Sequence, residues 1–317
     1  MLEFIKPVKV YGAKLKDKEK LLKSQSGGAF TAIAEFFLSK GAIVYGCSLD
    51  DKLNAVYARI TSFKDLEKVK GSKYVQAKLG DTLKNVLKDL ESDKIVLFSG
   101  TPCYVAACKQ FIDLKKYGNQ LFVVDIICHG VPSPLVYKAY LDEVSKKENC
   151  DVQNYIFRYK SGGDKTIERI IYSNGKEELT ENYIKLFYTN LALRPSCGKC
   201  QFAKIERVSD FTIGDFWGIK NSFPDFSSND GVSVILCNNE RAVKIFSNIQ
   251  SQFDAFVTDI HHALQPNLKK ASKVPFYRYL FWKDFYKHGV LYCSKKWSPI
   301  VEFPNVLKQR IKMLIKR

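Results

Sequence analysis

Between residues 20 and 147, short apolar runs alternate with amphipathic segments, and this alternation constrains the fold more than any other feature of the chain. SGGAFTAIAEFFLSKG carries an apolar stripe through Phe30, Ile33, Ala34 and Phe37. Ser24 or Ser26 can cap it and Gly41 can stop it, so it predicts a helix. AIVYGCSL and NAVYARIT predict buried strands, TSFKDLEKVKG a capped helical turn, and LGDTLKNVLKDLES an amphipathic helix. KIVLFS, TPCYVAACKQFIDL, NQLFVVDIIC and SPLVYKAYLDEVSKK continue as strand, helix, strand and helix. Pro102 falls in the first turn of its helix, a favoured place for proline. The reading is an α/β unit built on a mainly parallel sheet flanked by helices.

The character changes near Cys150. YIFRYK and TIERIIYSNGKEEL, turning at Asn174-Gly175, predict antiparallel strands. NYIKLFYTNLAL predicts a helix, DFTIG and GVSVILCNN predict strands, and ERAVKIFSNI a helix; beyond about residue 250 the chain is aromatic-rich without a clear period. The expected division is an α/β domain over 1–148, then an α+β domain over 149–317 with a cysteine loop and a basic tail.

Composition narrows the class. A chain with 46% hydrophobic and 26% charged residues is globular rather than disordered. No apolar run reaches the roughly 18–20 residues that cross a bilayer, and MLEFIKPVKVYGAKLKDKEK is too charged for a secretory signal. A cytoplasmic protein is expected. The net charge of +17 comes mostly from dispersed lysines, and no helix-turn-helix, zinc-finger or RNP-type signature accompanies it. A solvated basic surface therefore accounts for the charge, and nucleic acid is not an expected partner. The ending VLKQRIKMLIKR interleaves Val306, Leu307, Ile311, Leu314 and Ile315 with basic residues. It suits peripheral contact with an anionic membrane, contact with a partner, or a docked terminal helix.

Nine cysteines are many for such a compartment, where clustered thiols usually mean metal or redox work. Cys103 follows the strand KIVLF, and Cys128 ends the strand LFVVDII. In an open α/β sheet, ligands bind at the carboxyl ends of strands. Cys197-Gly-Lys-Cys200 is a CxxC loop, a spacing that lets two thiolates grip one metal centre. Four such thiolates match a cubane iron–sulfur cluster. A four-cysteine zinc site, a redox disulfide and simple packing are the alternatives at this point, and packing suits Cys47, Cys108 and Cys237 within their apolar runs. SGGAF opens a helix whose N-terminus is suited to phosphate, and GSKYVQA supplies Ser72, Lys73, Tyr74 and Gln76 as cation, donors and ring. GDFWG offers Asp215 between aromatics as a lid or a buried corner.

The segments SGGAFTAIAEFFLSKGAIVYG, GSKYVQA, VLFSGTPC, VVDIICHGVPSP, LRPSCGKCQFA and SDFTIGDFWGI, in this order over roughly residues 24–240, resemble the coenzyme F-420 hydrogenase/dehydrogenase beta-subunit family. The resemblance implies an iron–sulfur flavoprotein. An FAD would lie in the α/β part, and a 4Fe–4S cluster would be held by Cys103, Cys128, Cys197 and Cys200. It also places Ser26, Gly27, Gly28, Thr31, Ser72, Lys73, Tyr74 and Gln76, with the Gly100-Thr101 turn, on flavin-contacting segments. The implied activity is oxidoreduction of an organic acceptor, a small molecule or a sugar-linked compound, since many bacterial members are encoded among polysaccharide-biosynthesis enzymes. His129, beside Cys128, would tune the cluster, relay a proton or serve only as a cap. No specific residue is assigned to catalysis.

Three departures from the family pattern bear on function. Many bacterial relatives begin with a ferredoxin-like segment, whereas no cysteine precedes Cys47 here, so a separate electron donor such as a ferredoxin is expected. Tyr104 follows TPC where glutamine is common. The stretch after YIFRYK is shorter and more lysine-rich than usual. The rival reading is a non-catalytic, metal-stabilised binding module of a polysaccharide pathway.

Overall fold

A computed structural model describes residues 2–160 and 167–298. The strands among them are β1 (Lys9–Leu15), β2 (Ile43–Leu49), β3 (Ala55–Ile60), β4 (Val96–Gly100), β5 (Leu121–Ile126), β6 (Val152–Tyr159), β7 (Ile167–Tyr172), β8 (Glu177–Thr180), β9 (Phe211–Asp215), β10 (Ser233–Cys237) and β11 (Phe253–Thr258). Eight of them form one sheet in the order β11-β1-β10-β9-β5-β4-β2-β3. The block β9-β5-β4-β2 is parallel, and β1 runs the same way because it is antiparallel to β10, which is antiparallel to β9. The mixed sheet is thus mainly parallel in direction, as the alternation implies. β6, β7 and β8 form a separate antiparallel sheet.

Helices cover both faces of the large sheet, which is why its central strands read as unbroken apolar runs. On one face Ile33 and Phe37 of the helix Ala29–Ser39 and Phe246 of the helix Glu240–Ile249 pack with Val44, Leu97 and Val124. On the other, Val86, Leu90, Val105 and Cys108 from the helices Thr82–Glu91 and Pro102–Phe111 cover Tyr45, Phe98 and Val123. Adjacent strand residues point to opposite faces, so Val96 and Phe98 belong to one core and Leu97 to the other. A third core joins the small sheet to the helices Pro134–Glu148, Asn182–Tyr188, Arg278–His288 and Val290–Trp297.

Two expectations are corrected. The helix after SGG begins only at Ala29, with Gly28 at its N-cap in the left-handed region (φ 83°) and no side-chain cap. Residues 24–28 instead make a tight turn because Gly27 lies against Ala13 and Ser233, where a Cβ would strike both backbones. The chain beyond residue 148 also does not stay apart, since β9, β10 and β11 return to the large sheet. β1, β11 and the helices beyond Arg278 had no counterpart in the periodicity.

Candidate functional site

The carboxyl ends of β1, β2, β4, β5 and β9 all lie at one edge of the large sheet, and the chemistry-bearing segments follow from them. Gly100 ends β4, Thr101 caps the helix Pro102–Phe111, and Cys103 sits exposed in its first turn, where the helix dipole favours negative charge. The Thr101 hydroxyl lies 3.2 Å from Cys103 Sγ. A Cβ at Gly100 would strike the Tyr57 hydroxyl, so a larger residue here would displace that side chain. Cys128 follows β5 by two residues.

The loop after β5 is paired with the chain before the CxxC segment. Arg194 N–H donates to Val131 O at 3.0 Å and Ser133 N–H to Ala192 O at 3.0 Å. That pairing brings Cys197 beside Cys128: Val131 N–H points at Cys197 Sγ at 3.4 Å, and Gly130 N–H is directed at Cys128. Burial pushes the Cys128 thiol up to about 12, with Cys103, Cys197 and Cys200 adding to the rise. Cys197 is pushed up for the same reason, with Cys103 and Cys200 contributing. Cys128 and Cys197 thus both lie within electrostatic reach of Cys103 and Cys200, and the four sequence-predicted cysteines share one region of the sheet edge.

The four cysteines are free thiols, and Cys197 and Cys200 do not form a disulfide. Their donor set suits soft, anionic metal ligation, and main-chain N–H groups aimed at two of the sulfurs would stabilise thiolates. Among the described residues, no three His, Cys, Asp or Glu side chains close to the spacing of a single-ion site. Cys108, Cys237 and Cys293 are buried in the three cores and act as packing residues.

An anchor that the sequence reading missed lies beneath the loops. Arg207, 2% exposed, donates to Phe202 O (2.6 Å), Ile126 O (3.2 Å) and Thr212 Oγ1 (3.2 Å), and pairs with buried Asp125 at 3.0 Å. One guanidinium thus fixes the chain after CxxC, the end of β5 and β9. Burial pushes the Asp125 carboxyl up, opposed by Arg207. The only local signal was an acid interrupting the apolar run VVDII.

The expected flavin-type residues lie along the same edge, and much of their polarity is taken up internally. Ser26 Oγ donates to Val232 O at 2.8 Å, Gly27 N–H to Ser233 Oγ at 2.9 Å, and Thr31 shares a 2.6 Å hydrogen bond with Ser24. Lys73 Nζ bonds the carbonyls of Lys68, Lys70 and Gly71, and burial pushes its pKa down to about 8. Ser72 hydrogen-bonds Tyr74, whose ring stacks on Phe187 at 4.7 Å. Gln76 binds both the Tyr104 hydroxyl (3.2 Å) and Arg194, tying the GSKYVQ segment to the residues beside Cys103 and Cys197.

Near the SGG turn, Arg158 pairs with Asp215 at 2.5 Å, which makes the GDFWG aspartate an ion-pair partner. Lys160 Nζ bonds the carbonyls of Leu21 and Ser26, each at 2.8 Å. His129 lies 2.6 Å from Asn190 Oδ1, edge-on to Phe187 and Tyr188, and burial lowers its pKa. Two cavities of 520 and 370 Å³ lie away from the sulfurs, and the smaller meets the site only through Gln76. The expected basic tail, Val306–Arg317, lies outside the described residues. No described helix is long and apolar enough to cross a membrane.

Two models of the coenzyme F420 hydrogenase/dehydrogenase beta-subunit family match the chain, the N-terminal one over residues 10–84 and the C-terminal one over residues 93–261. The first begins at β1 and the second ends just past β11, so the match extends beyond the motifs on both sides. No curated protein matches the chain. The fold is similar to that of a chain in the F420-reducing [NiFe] hydrogenase complex from Methanosarcina barkeri, with 19% identity and a TM-score of 0.55, covering 81% of this chain and 85% of that one. With the C-terminal model alone spanning more than half of its length, this chain belongs to the coenzyme F420 hydrogenase/dehydrogenase beta-subunit family and is an oxidoreductase of that type.

Proposed function

We propose that this chain is a cytoplasmic iron–sulfur flavoprotein in which Cys103, Cys128, Cys197 and Cys200 hold a 4Fe–4S cluster. The adjoining edge, from Gly27-Gly28 to Ser72–Gln76 and Gly100-Thr101, would hold FAD. Bound there, the cluster would supply one-electron transfer and the flavin two-electron hydride chemistry. Electrons would pass between a separate donor such as a ferredoxin and a small-molecule or sugar-linked acceptor, as in a polysaccharide pathway.

The observation that carries this reading is the meeting of four free thiols from three segments at the carboxyl edge of the sheet. The protein's own contribution is positional. Arg207 holds the CxxC-following loop to β5 and β9, while Gln76 and Arg194 couple the GSKYVQ segment to the cysteine loops. Main-chain N–H groups of Gly130 and Val131 offset negative charge on sulfur. Tyr74, half-buried beside that edge, is backed by the buried Phe187 ring, which leaves the outer part of Tyr74 as the ring surface there for a flat heterocycle.

The test is purification without oxygen, followed by iron, acid-labile sulfide, zinc and extractable flavin per chain. About four irons and four sulfides with one FAD are expected, and Cys128→Ser should lose most of the iron. Zinc without flavin would overturn the proposal in favour of a metal-stabilised, non-catalytic module.

A further inference from the structure

The helix Arg278–His288 presents two unlike apolar faces. Phe281 and Phe285 point inward and are buried in the third core. On the opposite side, Tyr279 is 60% exposed and Tyr286 is 73% exposed. These two are seven residues apart, with exposed Lys283 between them on the same helical face. Phe276, just before the helix, is 72% exposed, and Tyr292 on the following helix Val290–Trp297 is exposed as well. A helix face turned only to water is ordinarily polar, and clustered exposed rings mark an interaction surface.

The charge on this face has one sign. Residues 270–298 contain seven Lys and Arg and a single acid, Asp284. That acid is already engaged by Lys296 at 2.7 Å and by the Trp297 indole N–H at 2.9 Å. Lys283, Lys287 and Lys295 stand exposed among the rings. The chain then continues through residues 299–317, whose sequence carries five more basic residues against one Glu.

We propose that this aromatic and lysine-bearing face docks on an anionic lipid surface. The proposal is independent of the cofactor assignment above. Rings with a polar edge and lysines on long stems are the pair that settles at the headgroup level of a bilayer. Lysine is depleted at protein–protein interfaces where tyrosine is enriched, so the combination favours lipid over an acidic protein. Each lysine near an anionic leaflet strengthens the attraction, which fades within a Debye length and weakens with salt.

The experiment is co-sedimentation of the full chain with vesicles of phosphatidylcholine alone and of phosphatidylcholine mixed with phosphatidylglycerol. Binding to the mixed vesicles only, weakened by salt, is expected. The triple variant Phe276→Ser, Tyr279→Ser, Tyr286→Ser should bind about tenfold more weakly or worse while melting like the parent. Lys283→Glu with Lys287→Glu should also reduce binding. Absence of binding to either vesicle, or a triple variant that binds like the parent, would overturn the proposal. So would loss of the exposed face to protein self-association, seen as a dimer in solution whose rings are protected without lipid.

Discussion

Asp125, at the end of β5, and Glu168, on β7, are both fully buried carboxyls, yet the two sheets hold them by opposite means. Asp125 faces a guanidinium that also binds backbone in the neighbouring segments, so the region under the cysteine loops holds its acid by charge rather than by a full set of hydrogen bonds. Glu168 has uncharged partners: the Tyr155 hydroxyl donates to it at 2.5 Å and Tyr183 N–H at 3.1 Å. Tyr137, Tyr140, Tyr155 and Tyr183 close around it in edge-to-face and tilted contacts, and burial pushes its pKa up to about 8. A buried acid is tolerable either when fully paired or when kept protonated. The paired one staples loops and strand ends into a site. The protonated one fills a core.

Breaking the pair is the most severe way to test the contrast. Arg207→Ala should cost on the order of 3–5 kcal/mol in urea unfolding, because it strands Asp125 as an uncompensated buried charge. The loss should be accompanied by faster hydrogen exchange through residues 197–207. If the variant unfolds like the parent, the anchor does not hold the cysteine loop.

The second test uses pH. Glu168 has a folded pKa above its unfolded one, so its favourable contribution is full below about pH 4.5 and is lost as pH rises towards 8. The parent should lose about 3 kcal/mol from this group between pH 5 and 8. Glu168→Gln, which stays neutral, should flatten that part of the stability profile and overtake the parent near pH 8. Parallel profiles would show that Glu168 is ionised throughout. The smallest effect is that of Tyr155→Phe, at about 1 kcal/mol. Since the Tyr155 hydrogen bond holds the Glu168 pKa down, its loss should extend the pH-dependent fall to higher pH while leaving its onset unchanged.

These anchors show where sequence reading stops. β2 to β5 and their helices were legible because buried strands and amphipathic helices differ in period and are punctuated by Gly, Pro and capping residues. β1 was not, because KVYGAKL puts lysines at its first and second-last positions and glycine at its centre. Its role as an interior strand depends on β10 and β11, more than 200 residues away, where Phe256 leans over Gly12. The cysteines were legible as a CxxC pair and as two strand-end residues, since strand order brings neighbouring carboxyl ends together. Arg207 was not legible: Asp125 announces the need for a cation, but nothing local chooses among 50 lysines and arginines. The aromatic helices near the C-terminus escaped for another reason, as rings on both faces leave no amphipathic period to read.

The pairing of β1 between β10 and β11 also sets an order of events during synthesis. The first strand leaves the ribosome with its partners still untranslated, and it gains both neighbours only once residue 258 has emerged. Cys103 and Cys128 appear long before Cys197 and Cys200, so an early half-site has two thiols and no CxxC loop to complete it. Such non-local closure is slow compared with helix formation. Cys197 and Cys200 can therefore join Cys103 and Cys128 only after the chain has been made past residue 200 and its loop has paired with the one after β5.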